Sequence, residues 1–383
     1  MQILIAPNSF KECAVSVSIS NLLVKYLKYY FNIESTAYSI SILEMPISDG
    51  GDGFISVCKK NFNLEIKSCK ITYPFCEDTF DCEYGVSENT VYIESAKVLG
   101  LSIIPMGKRH PLFLSSKGLG DILQAITKDN VNKISKVVLG IGGTGTSDFG
   151  IGLCSRFGLK LYDENSNELE PLPINFSRVK KLYWQKPKLD FDIDLILDVN
   201  TPLLGDNGAA KVFAPQKGAA PEEVELLEAG FFNIINVLQK HDPKLSVENL
   251  YGAGGGLGGG LHYFFSARYV LAENFIRNDI GINNKTLKPD IIITGEGSFD
   301  IQSLYNKGTM MVINEFADSG KPIFIISGKI DNNILEKRDP NLFFIELSRY
   351  FKNKDESIKN IEKGIQFASK EIFEICTSNN FIS

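Results

Sequence analysis

Residues 291–294 are Ile-Ile-Ile-Thr, and they run without a polar break into Gly295, Glu296 and Gly297, with Asp300 just beyond. A short run of β-branched residues that never alternates with polar ones reads as a strand buried on both faces. Such strands belong to parallel sheets with helices on either side, and this constrains the fold more than any other feature of the chain. The pattern recurs in MQILIAP (1–7), KVVLGIGG (136–143), DIDLILDVN (192–200), KPIFIISG (321–328) and NLFFIEL (341–347). Between these runs lie amphipathic segments with helical periodicity at 15–30, 54–62 and 221–240, near 302–318 and around 355–377.

Residues 66–104 break the alternation. EIKSCKITY, FDCEYGV and TVYIES look like short antiparallel strands. The expected fold is therefore α/β: a parallel-sheet, Rossmann-like or flavodoxin-like domain built from residues 1–65 and 286–383, with a mixed α/β domain, 66–285, inserted between them. A chain of 383 residues is long enough for two or three domains at roughly 150 residues each.

Composition limits the function classes. The chain is 44% hydrophobic and 22% charged, as expected of a globular protein, with a formal net charge of −6. That charge argues against a general nucleic-acid binder, which would present a basic face. It leaves room for a small anionic substrate, since a few local lysines suffice. The seven cysteines form no CxxC pair, and the three histidines form no HExxH, so zinc, disulfide-framework and histidine-triad readings are weak. The first apolar run is too short for a signal peptide, and no run approaches the 18 or so apolar residues of a membrane span. The expectation is a cytoplasmic protein with reduced thiols and no membrane or nucleic-acid partner. Its oligomeric state is left open.

In open α/β sheets, ligands bind beyond the carboxyl ends of the strands. Five segments there share one composition of glycine, small hydroxyl residues and carboxylates: 48–53 (SDGGDG), 142–148 (GGTGTSD), 198–200 (DVN), 252–260 (GAGGGLGGG) and 294–300 (TGEGSFD). GxGxxG occurs twice, at Gly140, Gly142 and Gly145 and at Gly254, Gly256 and Gly259. A dinucleotide site is disfavoured, because 33 glycines make such matches common and the first match continues into Asp148. No GxxxxGK[ST] phosphate loop occurs. Glycine turns bring backbone amides close to phosphates, lysine supplies compensating charge, and carboxylates hold a metal or accept a proton. Those are the parts that phosphoryl transfer requires.

The motifs IAPNSFK (5–11), PISDGGDG (46–53), GIGGTGTSDFG (140–150), DVNTPLLGDNGAAKVFAPQKGA (198–219), GAGGGLGGGL (252–261) and TGEGSFDIQSL (294–304), taken in this order, resemble the glycerate kinase family of bacteria. The resemblance implies ATP-dependent phosphorylation of D-glycerate with Mg²⁺, 2-phosphoglycerate as product, and two α/β domains with the active-site cleft between them. Carried onto this chain, it makes Glu296, Asp300, Asp49 and Lys11 the catalytic candidates, with either Glu296 or Asp300 as base. Ser9, Lys217, Lys307, Gly254, Gly255, Gly256, Gly258, Gly295 and Gly297 are then the substrate and phosphate contacts, and Asp52 and Asp198 the metal ligands. Several residues depart from the family pattern: Asn8 replaces an acid, Glu12 a glycine and Ser298 an arginine, and Thr144, Gly145, Thr146, Ser147 and Phe149 differ within the third motif. The departures keep open a kinase for another small hydroxy acid, or an organic-acid-binding protein without catalysis.

Overall fold

The computed structural model describes all residues except 11–12, 34–38, 130–132, 199–200, 301–302, 304–307, 332–339 and 382–383. Among the described residues the strands are β1 (Gln2–Pro7), β2 (Ser41–Glu44), β3 (Glu65–Thr72), β4 (Thr79–Ser87), β5 (Thr90–Glu94), β6 (Lys136–Gly140), β7 (Lys160–Tyr162), β8 (Glu168–Leu169), β9 (Lys181–Tyr183), β10 (Asp192–Leu197), β11 (Arg268–Leu271), β12 (Ile291–Phe299), β13 (Ile323–Ile330) and β14 (Leu342–Glu346). The chain forms two compact units. The first comprises Met1–Asp49, Ser56–Asn63 and Ala272–Ser383; the second comprises Gly50–Ile55 and Leu64–Leu271.

The first unit is built on a parallel five-stranded sheet in the order β14-β13-β12-β1-β2. Ile3, Ile5, Ile291, Ile293, Phe324 and Ile326 share a core with helices Ser16–Ile33 and Ile361–Ser378. Phe31 and Phe373 meet there edge to face, with ring centroids 5.0 Å apart. Leu4, Ile292 and Ile325, the alternate residues of the same strands, are equally buried. Burial on both faces is what the unbroken apolar runs require.

β12 does not end at Thr294. It continues through Gly295, Glu296 and Gly297 to Phe299, and pairs with β13 as far as Phe299 opposite Ile330. The glycine at 295 serves close approach rather than a turn: a Cβ there would stand 1.9 Å from the Ile326 carbonyl oxygen of β13. Residues 272–285, expected in the insert, belong to the first unit. Phe275 packs edge-on against Phe62 at 6.0 Å, and Ile276 lies beside Gly308.

The second unit carries a mixed six-stranded sheet, β11-β10-β6-β5-β4-β3. β11, β10, β6 and β5 run parallel, while β5-β4-β3 is the antiparallel meander anticipated from residues 66–104. A small antiparallel sheet, β8-β7-β9, and helices Lys117–Lys128, Pro221–His241 and Leu257–Phe265 complete the unit around one large core. Pro221 is the first residue of its helix, where its missing N–H goes unmissed. Among the described residues, no helix is long and apolar enough to cross a membrane.

Candidate active site

In the second unit, three glycine loops meet beyond the carboxyl ends of β5, β6 and β10. Loop 50–55 lies against loop 140–143, backbone to backbone. The Gly142 N–H donates to the Gly50 carbonyl at 2.9 Å, and a Cβ on Gly142 would come within 2.4 Å of the Gly51 Cα. The Asp52 carboxylate faces Gly143 across this contact, 3.1 Å from where a side chain would begin. Glu94, the last residue of β5, holds loop 50–55 from beneath. Its two carboxylate oxygens accept the Gly53 N–H at 2.9 Å and the Ile55 N–H at 3.0 Å. Burial pushes the Glu94 carboxyl pKa up, and the two amide donors oppose that shift. Asp52 and Glu94 also line a groove of about 500 Å³ with Phe80, Ala96, Lys97 and Ile103 among its walls.

Loop 142–148 is organised by Asp148 and Lys217. The buried Asp148 carboxylate accepts the Ser116 N–H and Ser116 O–H, each at 2.7 Å, and the N–H groups of Gly150 and Gly152, each at 3.1 Å. Asp148 therefore anchors the start of helix Ile151–Ser155, and it has little capacity left for a ligand. Lys217, expected as a phosphate contact, is buried and points inward. Its ammonium donates to the Thr146 carbonyl at 2.7 Å and to Thr144 Oγ1 at 3.3 Å. Burial lowers its pKa to about 7, against the pull of the Asp148 charge. The Thr146 and Ser147 hydroxyls beside it are buried without a hydrogen-bond partner among the described residues.

Gly254, Gly255 and Gly256 all take left-handed φ, between 67° and 84°. At Gly255 this suits the crowding, since a Cβ would stand 2.2 Å from the Thr146 oxygen and 2.8 Å from Lys217 Nζ. The amides of Gly256 and Gly258 are committed within the loop, to the Gly252 and Ala253 carbonyls at 2.9 and 3.1 Å. The anticipated phosphate cradle thus narrows to the amides of Gly254 and Gly255, which take no partner among the described residues. Phe149 lies behind the loop, fully buried and packed near Phe231 and Phe264, so its ring belongs to the core. Asp198 is exposed at the end of β10.

In the first unit, Asn8 is buried. Its N–H donates to the Gly295 carbonyl at 2.8 Å, and its Oδ1 accepts the Ser9 N–H at 2.8 Å. The β1–β12 register sets Pro7 opposite Gly295, so Asn8, Ser9 and Glu296 emerge at one sheet end. Glu296 is 9% exposed and sits inside β12. Asp300 closes the following turn, with Oδ1 accepting the Ser303 N–H at 3.3 Å. Gly297 lies on the same strand, and Asp49 is half-buried after β2. Lys11 and Lys307 lie outside the described residues.

Among the described residues, no group of three or more His, Cys, Asp or Glu is gathered closely enough to cage a metal. Magnesium in phosphoryl transfer needs no such cage, because it is bound through one or two carboxylates plus substrate phosphates and water. Asp52 and Asp198 are both exposed residues of the second unit.

Glu94 escaped the sequence reading. Its strand, TVYIE, also ends in a carboxylate, but no glycine follows to mark it. Thr146 and Ser147 were legible only as loop residues; their buried hydroxyls required the structure.

A parallel sheet flanked by helices, with glycine loops, a buried lysine and carboxylates at strand ends, defines a phosphotransferase-like α/β protein. The sequence model of the glycerate kinase family matches residues 3–377. A glycerate kinase of Halalkalibacterium halodurans is 31% identical over 338 residues, 86% of this chain and 85% of that one. The glycerate 2-kinase of Escherichia coli is 31% identical over 342 residues, 87% of each chain. A crystal structure from Salmonella typhimurium LT2, assigned as glycerate kinase 2, superimposes over 100% of both chains with a TM-score of 0.78 at 24% identity, a likeness of fold. The chain belongs to the glycerate kinase family, and it is an enzyme of the kinase class.

Proposed function

We propose that this enzyme transfers the γ-phosphoryl group of ATP to a hydroxyl of D-glycerate and releases 2-phosphoglycerate. The observation that carries the reading is the meeting of loops 50–55, 140–148 and 252–260 around Lys217 and Asp52 at the strand ends of the second unit. It joins a family whose relatives include a glycerate 2-kinase. Phosphoryl transfer is catalysed almost entirely by positioning and charge stabilisation, and these loops offer both.

In this reading the Gly254 and Gly255 amides and Lys217 bind phosphate oxygens. A bound phosphate raises the Lys217 pKa from about 7 and keeps the ammonium charged. Asp52 and Asp198 would hold Mg²⁺, which would supply neutralising charge for the transferred group. In the first unit Glu296 accepts the proton of the substrate hydroxyl, and Asp300 holds the turn beyond it. Ser9, with its amide fixed by Asn8, orients the substrate, and Lys11 and Lys307 supply charge for its carboxylate or for phosphate.

The test is ADP release in a coupled assay with D-glycerate, with the product assigned by ³¹P–¹H correlation. 2-Phosphoglycerate is expected. 3-Phosphoglycerate would overturn the assignment of the hydroxyl, and turnover of a different hydroxy acid alone would overturn the substrate. ATP binding without turnover of any acid would leave a binding protein.

A further inference from the structure

β3 and β4 bring two cysteines face to face. In their antiparallel register Cys69 stands directly opposite Cys82, between the pairs Ser68–Glu83 and Lys70–Asp81. Residues so opposed have side chains on one face and Cα atoms about 4.5 or 5.5 Å apart. Either spacing falls within the roughly 4.4–6.8 Å that a disulfide spans. Both side chains face the core of the second unit, Cys82 buried and Cys69 half-buried against it. All seven cysteines are free thiols, and no other two are opposed in a strand register among the described residues. β3 is also the outermost strand of its sheet, so a link to β4 would tie down an edge.

We propose that Cys69 and Cys82 are a reversible thiol–disulfide pair, closed by small-molecule disulfides such as oxidised glutathione. The more exposed Cys69 loses its proton and attacks one sulfur of the reagent. A mixed disulfide forms and one reagent thiol leaves. The Cys82 thiolate then attacks the Cys69 sulfur, forming the cross-strand bond and expelling the second thiol. Two electrons pass from the pair to the reagent, and the two cysteine protons end on the released thiols.

The surroundings set the speed. Burial lifts the Cys69 thiol to about 11, and Asp121 of helix Lys117–Lys128 and Asp81 of β4 push the same way. Burial lifts Cys82 to about 12; Cys69, Glu83 and Glu94 add to this, and Lys97 opposes it. Thiolate is scarce at neutral pH, so closure is slow there and accelerates as pH rises toward these values. The pair responds to sustained oxidation rather than to brief exposure.

The test uses the intact, folded protein with excess oxidised glutathione, followed by alkylation and digestion without reductant, read by mass spectrometry. A peptide linking Cys69 to Cys82 is expected, formed faster at alkaline than at neutral pH and dissolved by dithiothreitol. It should be absent from Cys69→Ser, whose half-buried site tolerates a hydroxyl, and retained in Cys76→Ser. Glutathione adducts without the link, two thiols that stay free in excess oxidant, or linkage of either cysteine to a third would each overturn the proposal.

Discussion

Glu296 and Asp300 occupy one motif and hold different positions. Glu296 lies within β12, while Asp300 is engaged with the Ser303 amide. A positioned proton acceptor is worth roughly a hundredfold to ten-thousandfold in rate. Glu296→Gln is therefore expected to lower kcat by that range with little change in the unfolding midpoint. Asp300→Asn is expected to lose about 1 kcal/mol of stability, the typical worth of such a cap, with a much smaller loss of kcat. The reverse pattern would move the base to Asp300. Lys217 gives a second prediction. Its folded pKa is about 7 against 10.5 for a free lysine, so between those values the unfolded chain binds more protons than the folded one. Stability then rises with pH across that window, because the penalty of burying the ammonium is fully present below it and relieved above. The urea midpoint of the wild type should climb from neutral to alkaline pH relative to Lys217→Met, which has no such titration. Parallel curves would contradict this account.

At the scale of elements, backbone approach decides what the glycines do. Gly295 lets β12 lie flat against β13, where any side chain would meet the Ile326 carbonyl. Gly295→Ala must part the two strands or shift one of them, at a cost of about 1–3 kcal/mol, as for other overpacked sites. Chemical denaturation measures this, and an unchanged midpoint would mean that the strands yield more freely than their burial implies. The sequence displayed the glycine and the strand but not the neighbour. GEG after an apolar run is compatible with a sharp turn or with a close approach, and the neighbouring β13 decides for the approach. Loop 50–55 makes the same point. Its glycines and Asp52 were readable as a ligand loop, whereas its anchorage by Glu94 depends on β5 lying beneath it.

At the scale of the whole molecule, the reaction class sets a metal requirement. Phosphoryl transfer needs a divalent cation. Excess EDTA is expected to abolish ADP formation and added magnesium to restore it; undiminished turnover in chelator would remove Asp52 and Asp198 from the metal role. Strand–helix alternation at both chain ends implies one parallel sheet made from distant segments, and β1 pairs with β12 and β12 with β13 in that sheet. The boundary near 271 was hidden, because residues 272–285 carry no sign of their unit except the partners they pack against, Phe62 among them.

By itself the sequence determined the parallel sheet, the antiparallel meander of residues 66–104, the glycine loops at strand ends and the family. These rest on local periodicity and contiguous motifs, which survive without knowledge of what lies nearby. Tertiary structure alone decided that Asp148 anchors a helix rather than meeting a ligand, that Lys217 turns inward onto Thr144 and Thr146, that Phe149 belongs to the core, and that Cys69 faces Cys82. Each of these is a contact between residues distant in the chain or a matter of burial. The charge, reactivity and hydrogen-bonding capacity of a side chain are set by the groups that folding brings to it.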